Sequence, residues 1–369
     1  MYSQNDLDEA VSAGAISAQS AASLRNFIAT QRSAPTVDEE QFRFITGFND
    51  IFVSIAAGIL LLAVGWIGQW LGTSLGLSVD GDGPSFLAPA AVAATSWGLA
   101  LFFTAKRRMA LPSIILLLAF VGASFATAAL ALMLVTGSGA LDNNPQLGGV
   151  LAAVAGLVAA AGAWLHWKRF RVPITVAAGA AAVAAIAIGM MLAALGATFE
   201  DSRNLVLGFV LLLGIGIFFV AMRWDSSDPA RLTRRSDVAF WLHLLAAPMI
   251  VHPVFTLLGL NDGNATIGEG LVVVLLYVVI GLAALAIDRR ALLVSALAYV
   301  LFALNEMFKQ FGAIELNIAL TALVIGSALL LLSAFWHQAR EAVVRPLPEG
   351  LRAKLPVLDR TVLASQPAA

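Results

Sequence analysis

The sequence predicts an all-α, polytopic integral membrane helix bundle of about ten transmembrane helices, N-in/C-in. Three observations predict it. First, 60% of the 369 residues are hydrophobic and 12% are charged, against about 25% charged in a soluble domain. A water-soluble core has no room for that much apolar surface. Second, ten apolar segments follow one another, at roughly 51–71, 87–105, 110–135, 148–167, 173–197, 204–222, 238–258, 270–287, 291–310 and 316–336. Each approaches or exceeds the ~20 residues that span ~30 Å of hydrocarbon. They are rich in Ala, Leu and Gly without period-two alternation, which argues against strands. A helix also satisfies its own backbone in lipid. Third, 20 of the 22 basic residues fall on one side when the loops are alternated, and only Arg203 and Lys309 fall on the other. Basic residues stay cytoplasmic, so both termini are expected inside.

The chain divides into 1–34, 35–50, 51–336 and 337–369. Residues 1–34 read as a cytoplasmic helical hairpin. Asn5 caps DLDEAVSA, which stops at Gly14. Ser17 caps AQSAASLRNFIATQ, with Leu24, Phe27 and Ile28 on one face. The stripe is too small for a core, so the hairpin is expected to pack on itself or on a cytoplasmic partner. Residues 35–50 read as an amphipathic surface helix or linker. Asp38, Glu39 and Glu40 favour its N-terminal end, and Phe42, Phe44, Ile45 and Phe48 turn toward the bilayer. The first fifty residues are polar, so no cleavable signal peptide is expected and the first apolar segment serves as an uncleaved anchor.

Residues 51–336 hold the ten segments. Basic turns recur at 106–113, 168–175, 231–238 and 288–295, about sixty residues apart. Duplicated helical hairpins produce that spacing, and so does any two-helix unit with short loops under the positive-inside rule. Segments four and five are studded with small residues, including Gly149, Gly156 and Gly162, and are expected to pack closely inside the bundle. His166 and His337, with Trp164, Trp167, Trp224, Trp241 and Trp336, read as an inner aromatic belt. The tail from His337 onward carries Pro346, Pro348 and Pro356 among arginines. It reads as an irregular cytoplasmic extension at the anionic headgroups, disordered over its last six residues.

The seventh segment, DVAFWLHLLAAPMIVHPVFTLLG (237–259), is the expected functional centre. It alone carries two histidines and two prolines, His243, His252, Pro248 and Pro253. His243 lies roughly 8 Å and His252 roughly 21 Å from the inner end. Nine steps of about 100° put them on opposite sides of one helix. Pro248 frees the carbonyl of Leu244 and Pro253 that of Met249. Such gaps make hinges and ion sites in transporters; they are also ordinary kinks in membrane helices. Glu306 reaches the depth of His252 on segment nine, roughly 22 Å from the inner end. Asn305 lies beside it, and Gln69 lies in the outer third of segment one. A histidine and a carboxylate at one depth can exchange protons. The bland alternative is a local pair between Glu306 and Lys309 at the headgroups.

With the hairpin, FRFITGFNDIFVSI and AFWLHLLAAPMIVHPVF in view, the chain resembles a group of bacterial predicted multi-pass membrane proteins. In that group a short cytoplasmic helical hairpin precedes eight or more apolar helices. It is catalogued as a domain of unknown function, so the resemblance implies the bacterial inner membrane and carries over no functional residue.

Several functions lose ground. There is no GxxxxGK[ST] loop and no HExxH pair. Four scattered histidines and no cysteine make a transition-metal site or other resident cofactor unexpected. The net charge of -1 and the scattered basic clusters argue against nucleic acid. Three classes remain: a small-solute or ion (proton-coupled) transporter, built on His252 and Glu306; a non-catalytic scaffold or envelope-associated protein docking a partner through residues 1–34; and a membrane-embedded enzyme on a lipid-linked substrate, which the short outer loops disfavour.

Overall fold

The computed structural model describes residues 7, 10–31, 48–196, 198, 200–229, 231, 233–260, 266–310, 316–352 and 354–358. They form an all-α chain; among them Ser78 and Ser85 form an isolated antiparallel β-bridge. The chain divides into two compact units, Met1–Gly47 and Phe48–Ala369.

In the first unit Gly14 takes a left-handed φ of 72° and ends the helical turn before it. Ser17 then caps α1 (Ala18–Gln31), its Oγ accepting the Ser20 amide at 3.0 Å. Asn5 and residues 35–47 lie outside the described residues.

In the second unit all ten apolar segments are helical, with ends within four residues of those expected. They are α2 (Phe48–Ser74), α3 (Leu87–Phe103), α4 (Ala110–Thr136), α6 (Pro145–Phe170), α7 (Ile174–Leu195), α8 (Arg203–Ser226), α9 (Arg234–Leu257), α10 (Ile267–Ile287), α11 (Ala291–Gln310) and α12 (Asn317–Ala334). Short α5 (Gly139–Asn143), α13 (Trp336–Val344) and α14 (Glu349–Arg352) complete the series. Eight of these helices are long and apolar enough to cross a membrane; α3 and the apolar part of α11 are shorter. This is a multi-pass membrane protein.

The recurring basic turns share one backbone device. Arg108, Arg171, Arg231 and Asp288 each take a left-handed φ between 53° and 56°. They stand at the turns α3–α4, α6–α7, α8–α9 and α10–α11. A non-glycine residue there carries strain of roughly 1 kcal/mol or more. Asp80, in the α2–α3 turn, takes the same conformation with φ 53°, so the device is a general way to reverse the chain here and does not single out the basic hairpins.

Helix pairs α6–α7 and α8–α9 make the most extensive contacts in the unit. Gly149 and Gly189 explain the first: a Cβ on Gly149 would lie 2.6 Å from the Gly189 carbonyl oxygen, and one on Gly189 would lie 2.7 Å from that of Gly149. Gly214 explains part of the second. A Cβ there would lie 3.0 Å from the carbonyl oxygen of Met249, the group left without a helical donor by Pro253. The helix α9 nevertheless runs unbroken through Pro248 and Pro253. It is the most buried of the eight spans, with 56% of its central window inside the protein. It packs on α7, α8 and α11. Val251 and Phe255 of α9 join Val273, Ala296, Val300 and Ile325 in one apolar core.

The tail departs from the expected irregular extension. Trp336–Val344 is a helix, and the chain beyond it returns to the bundle, with Leu355 packed against the apolar cluster that includes Ala247, Leu285 and Trp336.

Candidate functional site

Six charged residues meet at the turn ends of α8, α9, α10 and α13. Asp225 closes the last turn of α8, and its side chain is 1% exposed. Arg289, in the α10–α11 turn, grips it with two prongs: Nε donates to Oδ2 at 3.1 Å and Nη2 to Oδ1 at 2.5 Å. The same Nη2 also donates to the carbonyl of Ser236 at 3.1 Å, and the guanidinium lies over the Phe240 ring at 5.9 Å. His243 of α9 completes this half, its Nε2 3.2 Å from Asp225 Oδ2. A carboxylate only accepts, so Nε2 carries the proton. His243 Nδ1 is buried without a hydrogen-bond partner, beside the Phe218 ring at 5.2 Å.

The second half is centred on Asp288, the left-handed residue of the α10–α11 turn. Arg231 Nη1 donates to its Oδ2 at 3.0 Å, and Arg231 Nη2 to the carbonyls of Ile287 and Asp288. The Trp336 indole donates to Oδ1 at 2.8 Å, and Arg340 Nε lies 3.8 Å from the same oxygen. Arg340 is 1% exposed and donates to the carbonyls of Pro356 and Val357 in the returning tail. The third carboxylate, Asp228, accepts from the amide and hydroxyl of Thr233 at 2.9 and 2.7 Å and so holds the start of α9. The three carboxylates and three guanidiniums named here balance one another, which is the condition under which buried charge is tolerated; Asp237 and Arg234 lie within electrostatic reach at its edge.

The structure distributes the sequence-predicted residues along the bundle. His243 enters the cluster just described. His252 shares a 2.5 Å hydrogen bond, through Nδ1, with the Tyr299 hydroxyl of α11. Asn305 Oδ1 accepts from Asn317 Nδ2 at 2.7 Å, joining α11 to α12. The side chain of Glu306 lies outside the described residues. Gln69 is elsewhere: its Nε2 donates to the Gly83 carbonyl at 3.0 Å and its Oε1 accepts from the Ser85 amide at 2.8 Å. It ties down the α2–α3 turn, and α2 packs on α3 and α4. No described hydrogen bond joins any two of His243, His252, Asn305 and Gln69. Pro248 and Pro253 lie within α9 without interrupting it.

Two members of the expected aromatic belt are buried instead. His166 is 0% exposed and sits among Trp97, Phe120 and Phe170, its Nδ1 3.3 Å from the Thr175 hydroxyl. Trp336 is 2% exposed and serves Asp288. Both satisfy polar neighbours inside the protein, so neither anchors it at the headgroups. Trp164 is 55% exposed, as an anchor would be.

Reading the basic turns for orientation alone missed Asp225, Asp228 and Asp288. The signal was available: three acids lie among arginines, in RWDSSDPAR and DRR, where the rest of the turn chemistry is cationic. Among the described residues no three His, Asp or Glu side chains gather as a metal-binding set. No known protein family, curated protein or solved structure matches the chain.

Proposed function

We propose that the chain crosses a bacterial inner membrane ten times, with both termini cytoplasmic, and carries a proton or a small solute or ion along the contact between α9 and α11. The carrying observation is that His252 of α9 is hydrogen-bonded to Tyr299 of α11, a titratable pair across that contact. His243 of the same helix is tied to Asp225 of α8. Nine residues separate the histidines, about 13 Å along the helix. Asn305 and Asn317 continue the polar series toward the other end of α11. Polar groups at membrane depth cost free energy and concentrate where ions or protons move.

On this reading the charge cluster is the closed cytoplasmic end of the path. Asp225–Arg289 and Arg231–Asp288 clamp α8, α9 and the α10–α11 turn together, and Arg340 seals them with the tail. Access from the cytoplasm requires these pairs to part. Glu306 stands one residue from Asn305 and is the proposed outer proton acceptor.

The test uses the absence of cysteine, which makes any introduced thiol unique. Thiols at 252, 299 and 305 should react with membrane-impermeant reagents in the reconstituted protein. A pH gradient across proteoliposomes should dissipate faster with the wild type than with His252→Ala or Glu306→Gln. Unreactive thiols together with unchanged dissipation would sink the proposal.

A second reading is favoured by the separate compactness of Met1–Gly47. On it, residues 1–34 dock a cytoplasmic partner and the membrane unit is a non-catalytic scaffold. Deleting residues 1–34 would then abolish function while His252→Ala leaves it intact; the carrier reading requires the reverse. An enzyme acting on a lipid-linked substrate is the third and weakest reading, because the outer loops are short and Asp225 and Asp288 are already paired with arginines.

A further inference from the structure

We propose that the groove between α10, α11 and α12 holds an anionic phospholipid, with its phosphate on Arg290 and one acyl chain along the leucines behind it. The groove has a volume of about 170 Å³ and is almost wholly apolar. Leu293 and Leu297 of α11 and Leu329 of α12 line its length, and Arg290, Ser333 and Trp336 stand at one end. That volume is below the roughly 300–1,000 Å³ of a drug-sized pocket. It suits part of a chain whose remainder stays in the bilayer.

The charge of the site points to the occupant. Arg289 and Arg290 are adjacent, yet only the first is neutralised. Arg231, Arg289 and Arg340 each face a carboxylate. Among the described residues Arg290 faces none; its guanidinium lies over the Trp336 ring, 4.8 Å from the centroid. Trp336 is itself held by Asp288, so the stacked guanidinium is fixed in place rather than free to wander. A fixed planar cation at the mouth of an apolar groove complements a phosphate joined to an acyl chain. Leu297 lies seven residues beyond Arg290, about 10 Å deeper by helical rise, which gives the chain its direction. A zwitterionic lipid would satisfy the groove but leave its own cation opposite Arg290.

The inference rests on the proposed orientation only for the leaflet, which would be the cytoplasmic one. The binding itself is independent of transport. The test is native mass spectrometry and thermal unfolding of the full-length protein in detergent, titrated with phosphatidylglycerol or phosphatidylcholine. Wild type should retain phosphatidylglycerol about tenfold better, the weight of one charge-assisted contact, and unfold at higher temperature with it. Arg290→Gln should erase the preference. Leu297→Trp, which fills the groove and keeps the charge, should lower retention of phosphatidylglycerol. Arg235→Gln, at an exposed basic residue in the first turn of α9, should change nothing. Equal retention of the two lipids by wild type would overturn the proposal, as would an unaltered preference in a folded Arg290→Gln protein. Equal stabilisation by water-soluble glycerol phosphate would reassign the site to a free phosphate.

Discussion

Asp225 and Arg289 are sixty-four residues apart and form a two-pronged ion pair whose side chains are 1% and 3% exposed. The pair closes α8 onto the turn that leads into α11, and through His243 it holds α9 between them. Burying one such charge alone would cost several kcal/mol, so the geometry is sustained by the completeness of the cluster rather than by a single bond. The same completeness makes it vulnerable: separating one pair strands both partners.

Removing one partner should therefore cost far more than removing both. Asp225→Asn leaves the Arg289 guanidinium buried and uncompensated, and should destabilise the protein by about 3–5 kcal/mol. Asp225→Leu combined with Arg289→Leu should recover much of that loss. Chemical unfolding in detergent measures both. A cost below about 1 kcal/mol for Asp225→Asn would mean that water reaches the pair.

The returning tail should stabilise the cluster through Arg340. Arg340 donates to the carbonyls of Pro356 and Val357. Arg340→Gln and truncation after Arg352 remove the two sides of the same interaction. Each should lower the unfolding temperature, and the two together should do little more than the larger alone, because coupled changes are not additive. Strictly additive effects would separate the tail from the cluster.

Helix packing supplies a third expectation. Gly189→Ala places a methyl against the backbone of α6 and should cost about 1–3 kcal/mol as overpacking. Gly98→Ala meets nothing within 4 Å and should be neutral or stabilising by up to about 1 kcal/mol, the ordinary helix-propensity gain. Unfolding of the two variants side by side reads the difference. Equal effects would mean that α6 and α7 are not in close contact in the bilayer.

The helices were legible because the constraint that makes them is local. A run of twenty apolar residues must satisfy its own backbone in lipid, and that requirement is written at every position of the run. The close approach of α6 and α7 was legible for the same reason, since Gly149 and its neighbours announce it in composition. The charge cluster was hidden by the strength of the orientation signal: the arginines were read only for sidedness, and the acids between them were passed over. Their pairing, Asp225 with Arg289 and Arg231 with Asp288, depends on which turns meet, and single-sequence periodicity does not encode that. Tyr299 was missed because an aromatic in an apolar helix reads as packing until a histidine is seen beside it.

The His252–Tyr299 contact separates a structural tie from a working path. His252 is exposed on α9, and its described hydrogen bond is the one to the Tyr299 hydroxyl. A hydrogen bond of this kind contributes about 0.5–1.5 kcal/mol. Tyr299→Phe keeps the ring that packs against Phe255 at 4.6 Å and removes only the hydroxyl, so its effect on stability should stay within that range. If the pair lies on a proton path, dissipation of a pH gradient by Tyr299→Phe proteoliposomes should fall at least about tenfold, well beyond the loss that the stability change explains. The double variant with His252→Ala should be no slower than His252→Ala alone, because one break already interrupts a series. Flux that merely tracks the folded fraction in all three variants would leave the contact as a tie between α9 and α11 and move any conduction away from it.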